Sequence, residues 1–245
     1  MTAAIDTTDL TKMYGGQIAV DHLTVSIEEG EFFALLGLNG AGKTTTIKML
    51  TSLLAPTSGV ARLLGTDVGE DPTAVKERIN VSPQETAVAP NLSVRENLEL
   101  VARIYGCTAQ EARSRADGML KDLDLTDRAS DRAKVLSGGL QRRLSIGMAL
   151  ITRPEIVFLD EPTLGLDIRA RRALWETLER LKGQVTIVLT THYLEEAEAL
   201  SDRVGIMQDG RLRALGTVDE MKSLTGKSTF EDAFLSLTEA EEIPS

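Results

Sequence analysis

Gly37-Leu38-Asn39-Gly40-Ala41-Gly42-Lys43-Thr44 fits the pattern G-x-x-x-x-G-K-[ST] at every fixed position. That pattern suits gripping phosphate. Without Cβ atoms in the way, the backbone N–H groups from Gly37 through Asn39, Gly40, Ala41 and Gly42 can close around an anion. Lys43 offers a cation to the β- and γ-phosphates, the Thr44 hydroxyl can bind Mg²⁺, and Thr45 continues the set of contacts into the next helix. About a hundred residues later, Ser137-Gly138-Gly139 makes a second bare set of N–H donors at a helix start. Ile156-Val157-Phe158-Leu159 then ends in Asp160-Glu161. Two carboxylates behind an apolar strand offer one group for Mg²⁺ and one for a water.

These groups need particular elements to hold them. Glu31-Phe32-Phe33-Ala34-Leu35-Leu36 is short and apolar enough for a buried strand, and Thr45 to Leu50 has helical spacing, so the phosphate loop sits in a strand–loop–helix context. From Ile5 to Ile27 apolar and polar residues alternate, as in Leu23, Val25 and Ile27, which predicts a partly exposed sheet. Residues 59–64 and 79–81 read as further short strands. The period then changes: Ser93-Val94-Arg95-Glu96 is a capping box opening a helix with Leu98, Val101 and Tyr105. Thr108 to Glu111 repeats the signal for a second helix, with Ala112, Ala116, Met119 and Leu123. Strand–helix alternation returns at Ile156, with residues 168–181 helical and 185–190 a buried strand. No internal repeat occurs, and residues 228–245 are expected to form a loose tail.

With the motifs in this order, the chain from residue 5 to about 216 resembles the ATP-binding cassette family. The resemblance implies an α/β fold: a phosphate-loop NTPase (RecA-like) core with an antiparallel β subdomain and an inserted α-helical subdomain. The implied divisions are 1–84 for the first part of the core, 85–152 for the signature subdomain, 153–216 for the rest of the core and 217–245 for a short helical tail. It also implies roles. Tyr14 stacks on adenine with Val20 beside it. Gln84 touches Mg²⁺ and the attacking water, and Asp160 belongs to the Mg²⁺ shell. Glu161 is the general base or water-orienting group, and His192 contacts the γ-phosphate. Ser137, Gly138 and Gly139 of one subunit cover the γ-phosphate held by Lys43 of another in a head-to-tail dimer, and Asp167 lies on the loop crossing that interface. The fifth signature position is Leu140 where glutamine is commonest. His22, the only other histidine, is read as structural.

The function implied is ATP hydrolysis, with ATP and Mg²⁺, driving a separate polytopic membrane permease. Glu231-Asp232-Ala233-Phe234-Leu235-Ser236-Leu237-Thr238 is similar to the short tail of bacterial ATPases serving drug, antibiotic, sodium or polysaccharide exporters, which favours export. An importer ATPase and a non-transport soluble ATPase of the same family are the alternatives. The second cassette is either another copy of this chain or a similar one. The family receives a permease helix in a groove, expected here along residues 85–100 with Tyr105 nearby and with Val88 and Leu92 exposed.

Composition agrees. A 245-residue chain with 42% hydrophobic and 26% charged residues suits a globular enzyme, and a formal charge of −10 argues against broad nucleic-acid binding. No apolar run reaches the length of a membrane span, and Asp6 and Asp9 argue against a signal peptide, so a place on the cytoplasmic face of the plasma membrane through the permease is expected. Cys107 alone cannot form an internal disulfide. The absence of Asn-Lys-x-Asp leans away from a GTPase. No heptad run separates Gly42 from Ser137, unlike chromosome ATPases.

Overall fold

The computed structural model describes residues 3–239. The chain divides into two compact units: one built from both ends, up to residue 78 and from residue 182 onward, and one from residues 79–181.

The first unit opens with β1 (Ala3–Tyr14) and β2 (Gln17–Glu28), a long antiparallel hairpin. Leu23, Val25 and Ile27 are buried and His22 and Thr24 exposed, the two-residue period of a sheet with one covered face. β3 (Phe32–Leu36) is buried at every residue and feeds the phosphate loop, from which α1 (Lys43–Leu50) departs. β4 (Ser58–Leu63) pairs with β1, and β5 (Thr66–Asp67) completes the order β2-β1-β4-β5 before α2 (Pro72–Arg78).

The second unit begins with β6 (Ile79–Ser82) and contains α3 (Val94–Ile104), α4 (Ala109–Asp122), α5 (Gly138–Leu150), β7 (Ile156–Asp160) and α6 (Ile168–Glu179). β6 and β7 are parallel, with Ser82 opposite Leu159. The helices close on an apolar core that includes Leu98, Ala112, Ala116, Leu120 and Leu144. At Gly147 a Cβ would meet Leu123 Cδ1 at 2.3 Å, so α5 approaches its neighbour too closely for a side chain.

The chain then returns to the first unit with β8 (Thr186–Thr191), α7 (Leu194–Leu200), β9 (Arg203–Gln208), β10 (Arg211–Gly216), α8 (Val218–Thr225) and α9 (Phe230–Thr238). β3 lies between β8 and β9 and is parallel to both, while β10 runs antiparallel to β9. Leu36 pairs with Thr191, so the phosphate loop after β3 and His192 after β8 leave the sheet side by side.

Over its described part the segment expected to be a loose tail forms α9, following α8. Thr229 caps α9 by accepting from Asp232 N, and the helix buries Phe230, Ala233 and Phe234. Three buried apolar groups on one helical face hold this segment in place. Residues 240–245 lie outside the described residues. Among those described, no helix is long and apolar enough to cross a membrane.

Both predicted capping boxes are present. Ser93 Oγ accepts from Glu96 N at 3.1 Å, and Glu96 Oε2 accepts from Ser93 N at 2.7 Å. The Ser93 backbone N–H, and then its hydroxyl, hold the Glu96 carboxyl below the usual glutamate range. That half of the box is therefore at full strength at neutral pH and is lost as the pH falls below that range. Ser93→Ala should destabilise the chain by about 1 kcal/mol at neutral pH. Urea unfolding should show a lower midpoint with an unchanged slope.

Candidate functional site

In the first unit the phosphate loop is built against backbone. A Cβ on Gly37 would meet Met207 O at 2.4 Å, and one on Gly42 would meet Ala19 O at 2.5 Å. Gly42 also has φ +103° and Gly40 +87°, in the left-handed region that glycine enters without strain. Gly37 N donates to Thr191 O at 3.2 Å, Ala41 N to Leu38 O at 3.1 Å, and Gly210 N to Ala41 O at 3.2 Å. The loop thus hangs from the end of β8 on one side and from the β9–β10 turn on the other.

Lys43 is buried, and its Nζ donates to Gly37 O at 2.7 Å and Leu38 O at 3.2 Å. The ammonium lies across the mouth of its own loop, held by neutral carbonyls that a phosphate oxygen would outbid for it. No side chain caps the N-terminus of α1, and Gly42 precedes it. Those features fit a phosphate group at the helix start. Thr44 and Thr45 are half-buried on the first turn, and Asn39 and Gly40 are exposed.

His192 is half-buried directly after Thr191, the residue that holds Gly37, and its ring lies 4.1 Å from that of Tyr193. Tyr14 is 49% exposed at the hairpin tip, with Lys12 Nζ over its ring, 5.4 Å from the centroid. Val20 is wholly buried, its Cγ2 3.3 Å from where Gly42 would carry a Cβ; it packs beneath the phosphate loop. His22 hydrogen-bonds Asp21, and that bond, followed by one from Arg211, holds the Asp21 carboxyl below the usual aspartate range. The Arg211–Asp21 pair, 2.7 Å apart, joins β2 to the hairpin that supports the loop. A cavity of about 520 Å³ lies between Leu38–Ala41 and α9, away from Lys43 and Thr44.

The second unit carries the other groups. Asp160 and Glu161 are both buried at the end of β7. Glu161 has φ +47°, which costs a residue with a side chain roughly 1–3 kcal/mol. Gln84 is exposed in the loop after β6. Arg142, unsuspected from sequence, is 4% exposed and donates to the carbonyls of Pro83, Gln84, Asp160 and Pro162. No local pattern marks an inward-facing arginine on an otherwise ordinary helix, so only the packing reveals it.

Ser137 caps α5, its Oγ accepting from Leu140 N at 3.5 Å, and both Ser137 and Gly138 are exposed. A Cβ on Gly139 would meet Ala170 Cβ at 2.9 Å, so the start of α5 rests on the start of α6. Asp167 caps α6 by accepting from Ala170 N at 2.9 Å. The structure therefore brings Ser137–Gly139 and Asp167 together on one exposed edge. Leu140 is half-buried against the helical core, which explains an apolar residue at that position.

Val88 and Leu92 differ from expectation. Both are half-buried, and Val88 packs against the helical unit's own core. Along this stretch the exposed apolar residues are instead Leu100 and Ile104 on α3 and Tyr105 at its C-terminal cap, at 43%, 70% and 49%. Loop residues after a proline fold back onto the nearest apolar surface, whereas a two-sided helix cannot bury both faces.

Comparison with known proteins gives consistent matches. Residues 20–164 match the family model for ABC transporters. The daunorubicin/doxorubicin resistance ATP-binding protein of Streptomyces peucetius is 42% identical over 228 residues, 93% of this chain and 69% of that protein. The Nod factor export ATP-binding protein I of Burkholderia orbicola (strain AU 1054) is 42% identical, covering 87% of this chain and 71% of that protein. Among solved structures, a dimeric ATP-binding cassette in a post-hydrolysis state with ADP and Pi superposes with a TM-score of 0.78. It is 27% identical and covers 87% of this chain and 98% of that one.

Gly37→Ala tests the close backbone approach directly. A methyl group there overpacks the Met207 carbonyl, at a cost of about 1–3 kcal/mol. Affinity for a fluorescent ATP analogue should fall about tenfold or more, as 1.4 kcal/mol is a factor of ten.

Proposed function

The chain belongs to the ABC transporter family, as an ATP-binding and ATP-hydrolysing subunit, and we propose that it drives export through a separate membrane-spanning permease. The observation that carries the ATPase reading is the phosphate loop, with Lys43 held by Gly37 O and Leu38 O beside His192. The names of its relatives, one for drug resistance and one for Nod factor export, support the direction of transport. The acidic-apolar tail from Glu231 to Thr238 agrees with them.

The groups divide the work as follows. The N–H groups from Gly37 to Thr45 bind the phosphates, and Lys43 neutralises charge on the β- and γ-oxygens. Tyr14 stacks on the base. When bound, Mg²⁺ would supply charge neutralisation, and Thr44, Gln84 and Asp160 are the residues that would hold it. Among the described residues, no group of three or more His, Cys, Asp or Glu side chains forms a metal cluster. Glu161 accepts the proton of the attacking water, and His192 steadies the γ-phosphate. Two chains associate head to tail, so that Ser137, Gly138 and Gly139 of one cover the phosphate bound by the other, with Asp167 at the crossing loop. The pair acts at the cytoplasmic face of the plasma membrane. The subdomain formed by residues 85–152 receives a permease helix through Leu100, Ile104 and Tyr105, an apolar patch on an acidic protein.

Glu161→Gln keeps the shape but removes the base. Turnover should fall at least ~100-fold, while ATP binding survives and the ATP-loaded dimer accumulates. Sedimentation with ATP and with ADP, alongside phosphate release, measures both. Near wild-type turnover would remove Glu161 from the mechanism.

Leu100→Glu combined with Ile104→Glu should leave ATP hydrolysis by the isolated chain unchanged and abolish co-purification with the permease. Normal assembly and transport in that variant would place docking elsewhere.

A further inference from the structure

Helix α5 turns one charged side chain inward. Arg142 Nε donates to Pro162 O at 2.9 Å and Nη2 to Asp160 O at 2.8 Å, while Nη1 reaches Pro83 O and, at 3.4 Å, Gln84 O. One guanidinium therefore holds the backbone on both sides of Glu161 and at Gln84 itself. Burying a cation is costly unless its donors are filled, and here the acceptors come from two separate loops. A rigid planar fork of five N–H donors can span those directions; an ammonium on a flexible stem cannot.

The clamp also falls where the chain is strained. Glu161 sits at φ +47°, and such a backbone persists only when its surroundings fix it. The carbonyls before and after that residue are both held by Arg142.

We infer that Arg142 is a positioning residue for hydrolysis, tying the loop of Gln84 and the turn of Glu161 to the helix that begins at Ser137–Gly139. It touches no substrate and acts through carbonyl oxygens, so that the serine edge, the glutamine and the carboxylate move as one body. The inference rests on the roles given above to Gln84 and Glu161. It adds a device linking the edge that would meet a second chain to the groups that would handle water.

The test uses the full-length chain with Arg142→Lys and Arg142→Gln, with Glu161→Gln in parallel and Arg143→Gln as the control. Arg143 lies one position along α5, donates to Leu123 O at 3.4 Å, and has no bond to either loop among its described contacts. Turnover with Mg-ATP is expressed per chain that binds labelled ATP, so a lost folded fraction cannot imitate a lost rate. Both Arg142 variants should lose about tenfold or more in kcat, since sub-ångström misplacement of reacting groups has effects of that order, with KM for ATP within about threefold. Arg143→Gln should keep its kcat. Hydrogen exchange at residues 84–86 and 161–164 should quicken together in Arg142→Lys. If Arg142→Gln does not fold, Arg142→Lys decides. Wild-type kcat in Arg142→Lys, or an equal fall in Arg143→Gln, would overturn the inference. Those results with a silent Glu161→Gln would sink the Arg142 assignment alone; an active Glu161→Gln would sink the assignment of Glu161 itself.

Discussion

The oxygen of Met207 stands 2.4 Å from where Gly37 would carry a Cβ, and that of Ala19 stands 2.5 Å from the same point on Gly42. Two strands therefore press their backbones into the phosphate loop, and the rest of the first unit is arranged to keep them there. Gly210 N holds Ala41 O, Asp21 N holds Gly210 O at 2.8 Å, and the Asp21–Arg211 pair fastens β2 to the β9–β10 hairpin. Lateral support by backbone gives a loop whose donors stay in place without side chains crowding the ligand. The pattern G-x-x-x-x-G-K-T is the local trace of this packing.

The second unit solves a similar problem with the opposite means. Where the phosphate loop is fixed by the absence of side chains, the turn at Asp160-Glu161 is fixed by one large side chain reaching four carbonyls. Its helices are fixed more conventionally. Alanines at positions 102, 112 and 116 let α3 and α4 approach, Gly147 does the same for α5, and capping boxes close the ends of α3 and α4. The surplus apolar face of α3 is what remains after that core is full.

Much of this architecture was legible in the residues. The strand–loop–helix around Lys43, the alternation of β2, both capping boxes and the strand ending at Asp160 follow from periodicity and cap chemistry, which are local. The pairing of Leu36 with Thr191, which sets His192 beside the phosphate loop, could be reached only through the family resemblance, because register between distant strands leaves no local signal. Val88 and Leu92 were misjudged as exposed because a loop's burial depends on what lies beneath it. That Val20 packs under Gly42 has no local signal either, because it depends on where β2 meets the phosphate loop. Arg142 could not be seen at all: its neighbours in sequence are another arginine and a glutamine, and nothing in that run tells which side chain turns inward.

Glu161 combines a buried carboxylate with a left-handed backbone, a conformation that glycine or asparagine would occupy more comfortably. Its identity and its conformation therefore pull against each other. A population screened only for heat tolerance would drift at this position toward glycine, gaining hardiness as the strain is relieved. Durability and the role proposed for Glu161 are thus opposed at a single residue.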